Sequence, residues 1–100
     1  MITEDGEISK SIFEIIYLAI EEEYELFEFS AFIRDGYLET KLWITSGGIC
    51  TAIVKNNINY AILCDLIEDL KARGMLRGDD WRSFTMTYVY GGQVKVKFEY

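Results

Sequence analysis

One hundred residues, half of them hydrophobic and 15% aromatic, make one domain with enough apolar matter to fill a single core. The absence of histidine removes the commonest general base and the commonest metal ligand, and the absence of proline argues against Pro-rich linkers and recognition segments. A net charge of −7 opposes phosphate binding, and no run approaches the roughly 18–20 continuous apolar residues of a membrane span.

The chain opens on acid (Glu4, Asp5, Glu7), the wrong sign for a secretory leader, so a cytoplasmic location is expected. From Glu7 to about Glu25 the period is helical. Ile8, Ile12, Ile15, Ile16, Ala19 and Ile20 form one stripe, flanked by Phe13 and Tyr24, and Asp5 is the expected N-cap. Glu21, Glu22 and Glu23 then fall at the expected C-terminal end, where acid opposes the helix dipole. A local rule broken without local gain points toward function.

The period next changes to two. Phe27, Phe29, Ala31 and Ile33 alternate with Glu28, Ser30 and Phe32, and Asp35-Gly36 signals a hairpin. Leu38, Leu42 and Ile44 alternate with Tyr37, Glu39, Lys41 and Trp43. Ser46-Gly47-Gly48 turns again, and residues 49–55 read as a third strand. Asn57 or Asn59 caps a second helix with its stripe on Ile58, Ile62, Leu63, Leu66, Ile67 and Leu70, and Gly74 reads as its stop. The last twenty residues are two alternating runs joined by Gly91-Gly92, expected as a primed turn. Phe84, Met86, Tyr88 and Tyr90 share one face there, as do Val94, Val96, Phe98 and Tyr100.

The order α-β-β-β-α-β-β predicts an α+β fold: an antiparallel sheet with two helices packed on one face. The other face is expected to be open, showing Glu28, Ser30, Tyr37, Glu39, Lys41, Trp43, Thr85, Thr87, Lys95, Lys97 and Glu99. Tyr37 and Trp43 stand out on it, since large aromatics on an open sheet face are common binding anchors. A covering loop, a covering chain end or a register slip of one residue would remove them from that role.

Catalytic chemistry finds little purchase. The carboxylates cluster as exposed faces do: Glu21–Glu23, Asp65 with Glu68 and Asp69, and Asp79-Asp80. Nothing places one in an apolar pocket to split a pair of pKa values. Gly47-Gly48 and Gly91-Gly92 lie between strands, so they are turn glycines and form no phosphate-cradling loop. Cys50 and Cys64 read as buried free thiols, with a disulfide or redox pair as the alternative. No enzyme, metal or cofactor is expected.

Charge distribution is more informative. Residues 1–30 carry nine acids and one base; residues 31–100 carry eight acids and nine bases. The first third therefore holds the whole imbalance, either as a solvated helix face or as a surface for a basic protein. A nuclease is the obvious basic protein, because its cleft must attract phosphate.

The closing hairpin, with Trp81, Phe84, Met86, Gly92, Val94, Val96, Phe98 and Tyr100, together with the element order, resembles the YezG-type bacterial immunity (antitoxin) proteins. The resemblance implies a protein that binds and neutralises a cognate toxin C-terminal domain, often a nuclease delivered by a secretion or contact-dependent growth-inhibition system. By charge and exposure, the expected partner-binding residues are Glu21, Glu22, Glu23, Glu25 and Glu28, the aromatic anchors Tyr37 and Trp43, and Asp79 and Asp80. The alternative is a non-catalytic adaptor or regulatory domain for a basic protein, or one that assembles with itself through an exposed sheet edge.

Overall fold

Helix α1, Glu4–Ala19, lays Ile8, Ile12, Ile16 and Ala19 on a sheet, as its three- and four-residue spacing requires. The computed structural model describes residues 4–54 and 57–100. The helix already contains Asp5, so that residue is not its cap, and the Asp5 side chain lies outside the described set. Strands β1 (Leu26–Arg34), β2 (Tyr37–Ser46) and β3 (Ile49–Ile53) follow. Helix α2 (Tyr60–Leu76) and strands β4 (Ser83–Val89) and β5 (Val94–Glu99) complete the described elements. Lys55, expected to end the third strand, and Asn56 lie outside the described residues.

The strands make one antiparallel sheet in the order β3-β2-β1-β4-β5. β1 lies at the centre, and its Phe27, Phe29 and Ala31 are fully covered. Across the sheet Phe29 meets Leu42 on one side and Met86 on the other; Phe27 likewise meets Ile44 and Tyr88. These residues join Ile12 and Ile16 of α1 and Leu63, Ile67 and Leu70 of α2 in one core. Each large side chain so buried contributes about 1.5–3 kcal/mol. The sequence order and the single helical layer are as expected.

Two turns differ from expectation. Gly92 N–H donates to Val89 O at 2.7 Å and Gly91 is left-handed at φ 79°, so the last turn centres on Tyr90-Gly91 rather than Gly91-Gly92. The reason is register. A two-residue Gly91-Gly92 loop would set Tyr90 opposite Gln93 and mismatch the faces. The observed turn pairs Phe84 with Phe98, Met86 with Val96 and Tyr88 with Val94. Tyr90 thereby leaves the sheet.

Gly74 is not the helix stop either. Asn59 caps α2 at its start, accepting from Ile62 N at 3.3 Å. The helix runs on through Gly74 to Leu76. It closes with Gly78 at φ 84°, Gly78 N–H on Met75 O and Asp79 N–H on Gly74 O. That double bond with a left-handed glycine is a Schellman ending. Gly74 is instead buried against Trp81.

Candidate partner-binding site

α1 carries no basic residue in its last turn and stops at Ala19, before the acidic run. Glu21, Glu22 and Glu23 therefore follow directly after the helix instead of lying within it, since the helical spacing expected to run to about Glu25 stops earlier; they still stand by the negative end of the dipole. They form a bridge pinned at both ends. Ile20 is buried and its N–H donates to Ile16 O. Tyr24 turns inward among Phe27, Tyr88 and Tyr90, with ring centroids 5.9, 6.5 and 5.5 Å away. Between those anchors the three glutamates are exposed, and Glu22 Oε1 accepts from Glu21 N.

The bridge borders a cleft of about 650 Å³ lined by Tyr17, Leu18, Ile20, Tyr24, Tyr90 and the three glutamates. Leu18 and Tyr90 are 77% and 61% exposed there. The walls are thus aromatic and apolar, and the rim is anionic. Burial pushes the Tyr24 phenol up to about 12, with Tyr88, Tyr17 and Tyr90 adding to the rise, and its hydroxyl is shielded without a hydrogen-bond partner. Such a site accepts the alkyl stem and charged head of a lysine or arginine.

The other expected site residues do not gather here. Glu25 is fixed to the fold: its carboxylate accepts from Gly47 N at 2.8 Å, and its backbone bridges Thr45 O and Tyr90 N. Glu28 and Trp43 pair across β1 and β2 on the sheet face away from the helices, both half-buried. Trp43 has Ala52 on its other side. Tyr37, 61% exposed, lies at the far end of β1 beside Arg34. At about 3.3 Å per residue, the nine residues of β1 separate Tyr37 from the acidic bridge by roughly 26 Å.

Asp79 and Asp80 lie at that far end too, and their charge is balanced within the fold. Arg77 Nε is 3.4 Å from Asp79, Lys71 Nζ is 2.6 Å from Asp80 Oδ1, and Arg82 is 3.4 Å from Asp80 Oδ2. Lys71 also donates to Trp81 O. The hydrogen bond from Lys71 foremost, with the charge of Arg82, holds the Asp80 carboxyl below its ordinary range. Through these ion pairs the two half-exposed aspartates tie α2 to the segment that leads into β4.

The open face differs in two details from its expected composition. Ser30 is only 4% exposed and shares a 3.1 Å hydrogen bond with Thr85, since it sits on the central strand under its neighbours. Phe32 joins the face, with the Arg34 guanidinium 4.9 Å and the Lys41 ammonium 5.7 Å from its ring. Cys50 is exposed rather than buried, because it lies on an edge strand; Cys64 is half-buried and its thiol is pushed up by burial. Both are free. Among the described residues no group of three or more Cys, Asp or Glu side chains is placed to hold a metal ion, and no helix is long and apolar enough to cross a membrane.

Sequence reasoning missed Tyr17 and Tyr90 as parts of the site. Tyr17 follows Phe13 by four residues on the edge of the helical stripe, and their rings stand 5.4 Å apart. That spacing was a readable signal. Tyr90 reaches Tyr24 only because the last turn shifts by one residue, a shift that matching the apolar faces of the two final runs already requires. No protein-family model matches the chain, and no curated protein matches it.

Proposed function

We propose that this protein is an immunity-type inhibitor that neutralises a cognate toxin domain by tight stoichiometric binding. Its partner is a basic domain, with a nuclease the best fit, met in the bacterial cytoplasm as for the YezG-type proteins. One observation carries the reading. The acidic run that holds much of the charge imbalance is displayed on the rim of a cleft walled by Tyr17, Leu18, Tyr24 and Tyr90. Exposed tyrosines on a rigid support are what binding hot spots use, and the anionic rim steers a basic partner in quickly.

A lysine or arginine from the phosphate-binding surface of the toxin would fill the cleft, its stem along the rings and its head among Glu21, Glu22 and Glu23. Occupying that residue denies it to the nucleic acid.

The test is to look beside this gene for a large protein with a variable C-terminal domain, co-express that domain with this protein, and follow with titration calorimetry of the purified pair. Protection of cells and a one-to-one complex are expected. Undiminished killing in the presence of abundant protein sinks the reading.

A further inference from the structure

The sheet has two outer strands, and they are unlike. β5 alternates Lys95, Lys97 and Glu99 along one face, a charged edge of the kind that discourages strand addition. β3, Ile-Cys-Thr-Ala-Ile, bears no charge, and Ile49, Cys50, Thr51 and Ala52 are all exposed. Residues 40–64 contain no acid at all, only Lys41 and Lys55. In a chain of net charge −7 this is the stretch where two copies meet without opposing carboxylates, whereas a basic foreign strand would meet Lys41 unrewarded.

We propose that β3 is a self-association edge, through which two copies pair antiparallel about a two-fold axis at Thr51. The register follows from the adjoining turn. Gly47 and Gly48 are both left-handed, at φ 59° and 80°, and join Ser46 to its partner Ile49 in a two-residue primed hairpin. The closing pair of such a hairpin exchanges hydrogen bonds, so Ile49, Thr51 and Ile53 aim their backbone groups at β2. Cys50 and Ala52 aim theirs outward. Centring the second copy on Thr51 sets Cys50 opposite Ala52 of that copy, twice over, and satisfies those outward groups.

The same register sets Ile49 of one copy opposite Ile53 of the other. Ile49 is 70% exposed, while Ile53 lines a groove of about 500 Å³ with Leu42, Val54, Ile58 and Tyr60. Each copy thus offers one projecting side chain and one recess, as an isologous contact requires. A five-residue strand and its few neighbours bury less than the ~800 Å² per partner of a standard interface, so the dimer is weak and concentration-dependent.

Sedimentation velocity of the full chain from about 1 to about 500 µM, bracketing the range of such small interfaces, tests this. A shift from monomer to dimer with rising concentration is expected. Ala52→Lys, at an exposed position, should remain monomeric throughout, and Lys97→Ala on the opposite edge should behave as the parent chain. The variant Thr51→Cys in a Cys50→Ser, Cys64→Ser background adds a readout independent of the lysine variant's folding. Facing non-hydrogen-bonded residues stand about 4.5 Å apart, so oxidised glutathione should convert it to a single-disulfide dimer. A parent chain that stays monomeric, an Ala52→Lys variant that dimerises equally, or a Thr51→Cys variant that does not cross-link overturns the proposal. Changes at Glu21, Glu22 and Glu23 leave this assembly untouched, so its failure and that of the toxin-binding reading are separable.

Discussion

Trp81 packs so closely on Gly74 that a Cβ at position 74 would stand 2.9 Å from the indole Nε1 and 3.0 Å from Asp79 O. The ring fills the space a side chain would take, and it meets Phe84 and Phe98 at 5.6 and 5.4 Å on its other sides. Bare helix backbone is thus what lets the end of α2 seat on the sheet. In an exposed helix interior Gly→Ala gains about 1 kcal/mol. Here overpacking, which costs roughly 1–3 kcal/mol, outweighs it. Gly74→Ala should lower the urea midpoint without changing the slope of the transition.

The second prediction concerns acid stability. Asp80 is held below the ordinary carboxylate range by Lys71 and Arg82. A carboxyl depressed in the fold contributes stability that is present above its unfolded value and is lost as pH falls through the folded one. Asp80→Asn should therefore destabilise the protein at neutral pH. It should also flatten the fall in stability on the acid side of the unfolded carboxylate range. Denaturant melts at several pH values, compared between parent and variant, check this; parallel pH profiles would show that the pair contributes nothing.

Much of the fold was legible because alternation and helical spacing report burial directly. Phe27, Phe29 and Ala31 are covered because they alternate on the central strand, and Ile12 and Ile16 because they recur every four residues. The site was only half legible. Glu21, Glu22 and Glu23 stood out as an acidic run, but their place off the helix depended on where α1 stops. Buried Ile20 and the inward turn of Tyr24 decide that, and both are tertiary effects. Gly74 read as the stop, four residues ahead of the glycine that ends the helix, Gly78. Only the left-handed φ of Gly78 and the nearness of Trp81 to Gly74 tell them apart. Asp79 and Asp80 read as surface charge because the strongest of their cationic partners, Lys71, comes from α2, while Arg77 and Arg82 are local.

Tyr24 gives a prediction in which stability rises and binding stays as it is. Its hydroxyl is shielded and has no hydrogen-bond partner, an arrangement that costs about 1–3 kcal/mol in a folded protein. Tyr24→Phe should raise the unfolding free energy by about 1 kcal/mol. It should also remove a phenol that ionises near pH 12 from an alkaline absorbance titration. In the parent chain burial penalises the phenolate, so with a folded value of about 12 against an ordinary 10.0 the phenol leaves stability unchanged below 10.0 and lowers it as pH rises from there through about 12. Because the shielded hydroxyl offers the cleft no exposed atom, the same variant should bind the partner as tightly as the parent chain, and a weaker affinity would show that the hydroxyl reaches the contact.

The acidic bridge itself supplies the last prediction. Glu21, Glu22 and Glu23 are exposed, so replacing all three with lysine should shift stability by less than about 1 kcal/mol. Binding should respond far more. Removing the anionic rim lowers the association rate toward a basic partner and flattens its dependence on salt, because steering by charge is screened within about 10 Å at 0.1 M ionic strength. The aromatic walls remain, so dissociation should quicken less than association slows. Stopped-flow association at several salt concentrations separates the two. A Tyr17→Ala, Tyr90→Ala double variant should show the reverse, with near-normal association and fast dissociation, because its loss is of packed area rather than of charge. If both sets of changes leave both rates unaltered, the cleft is not where the partner sits.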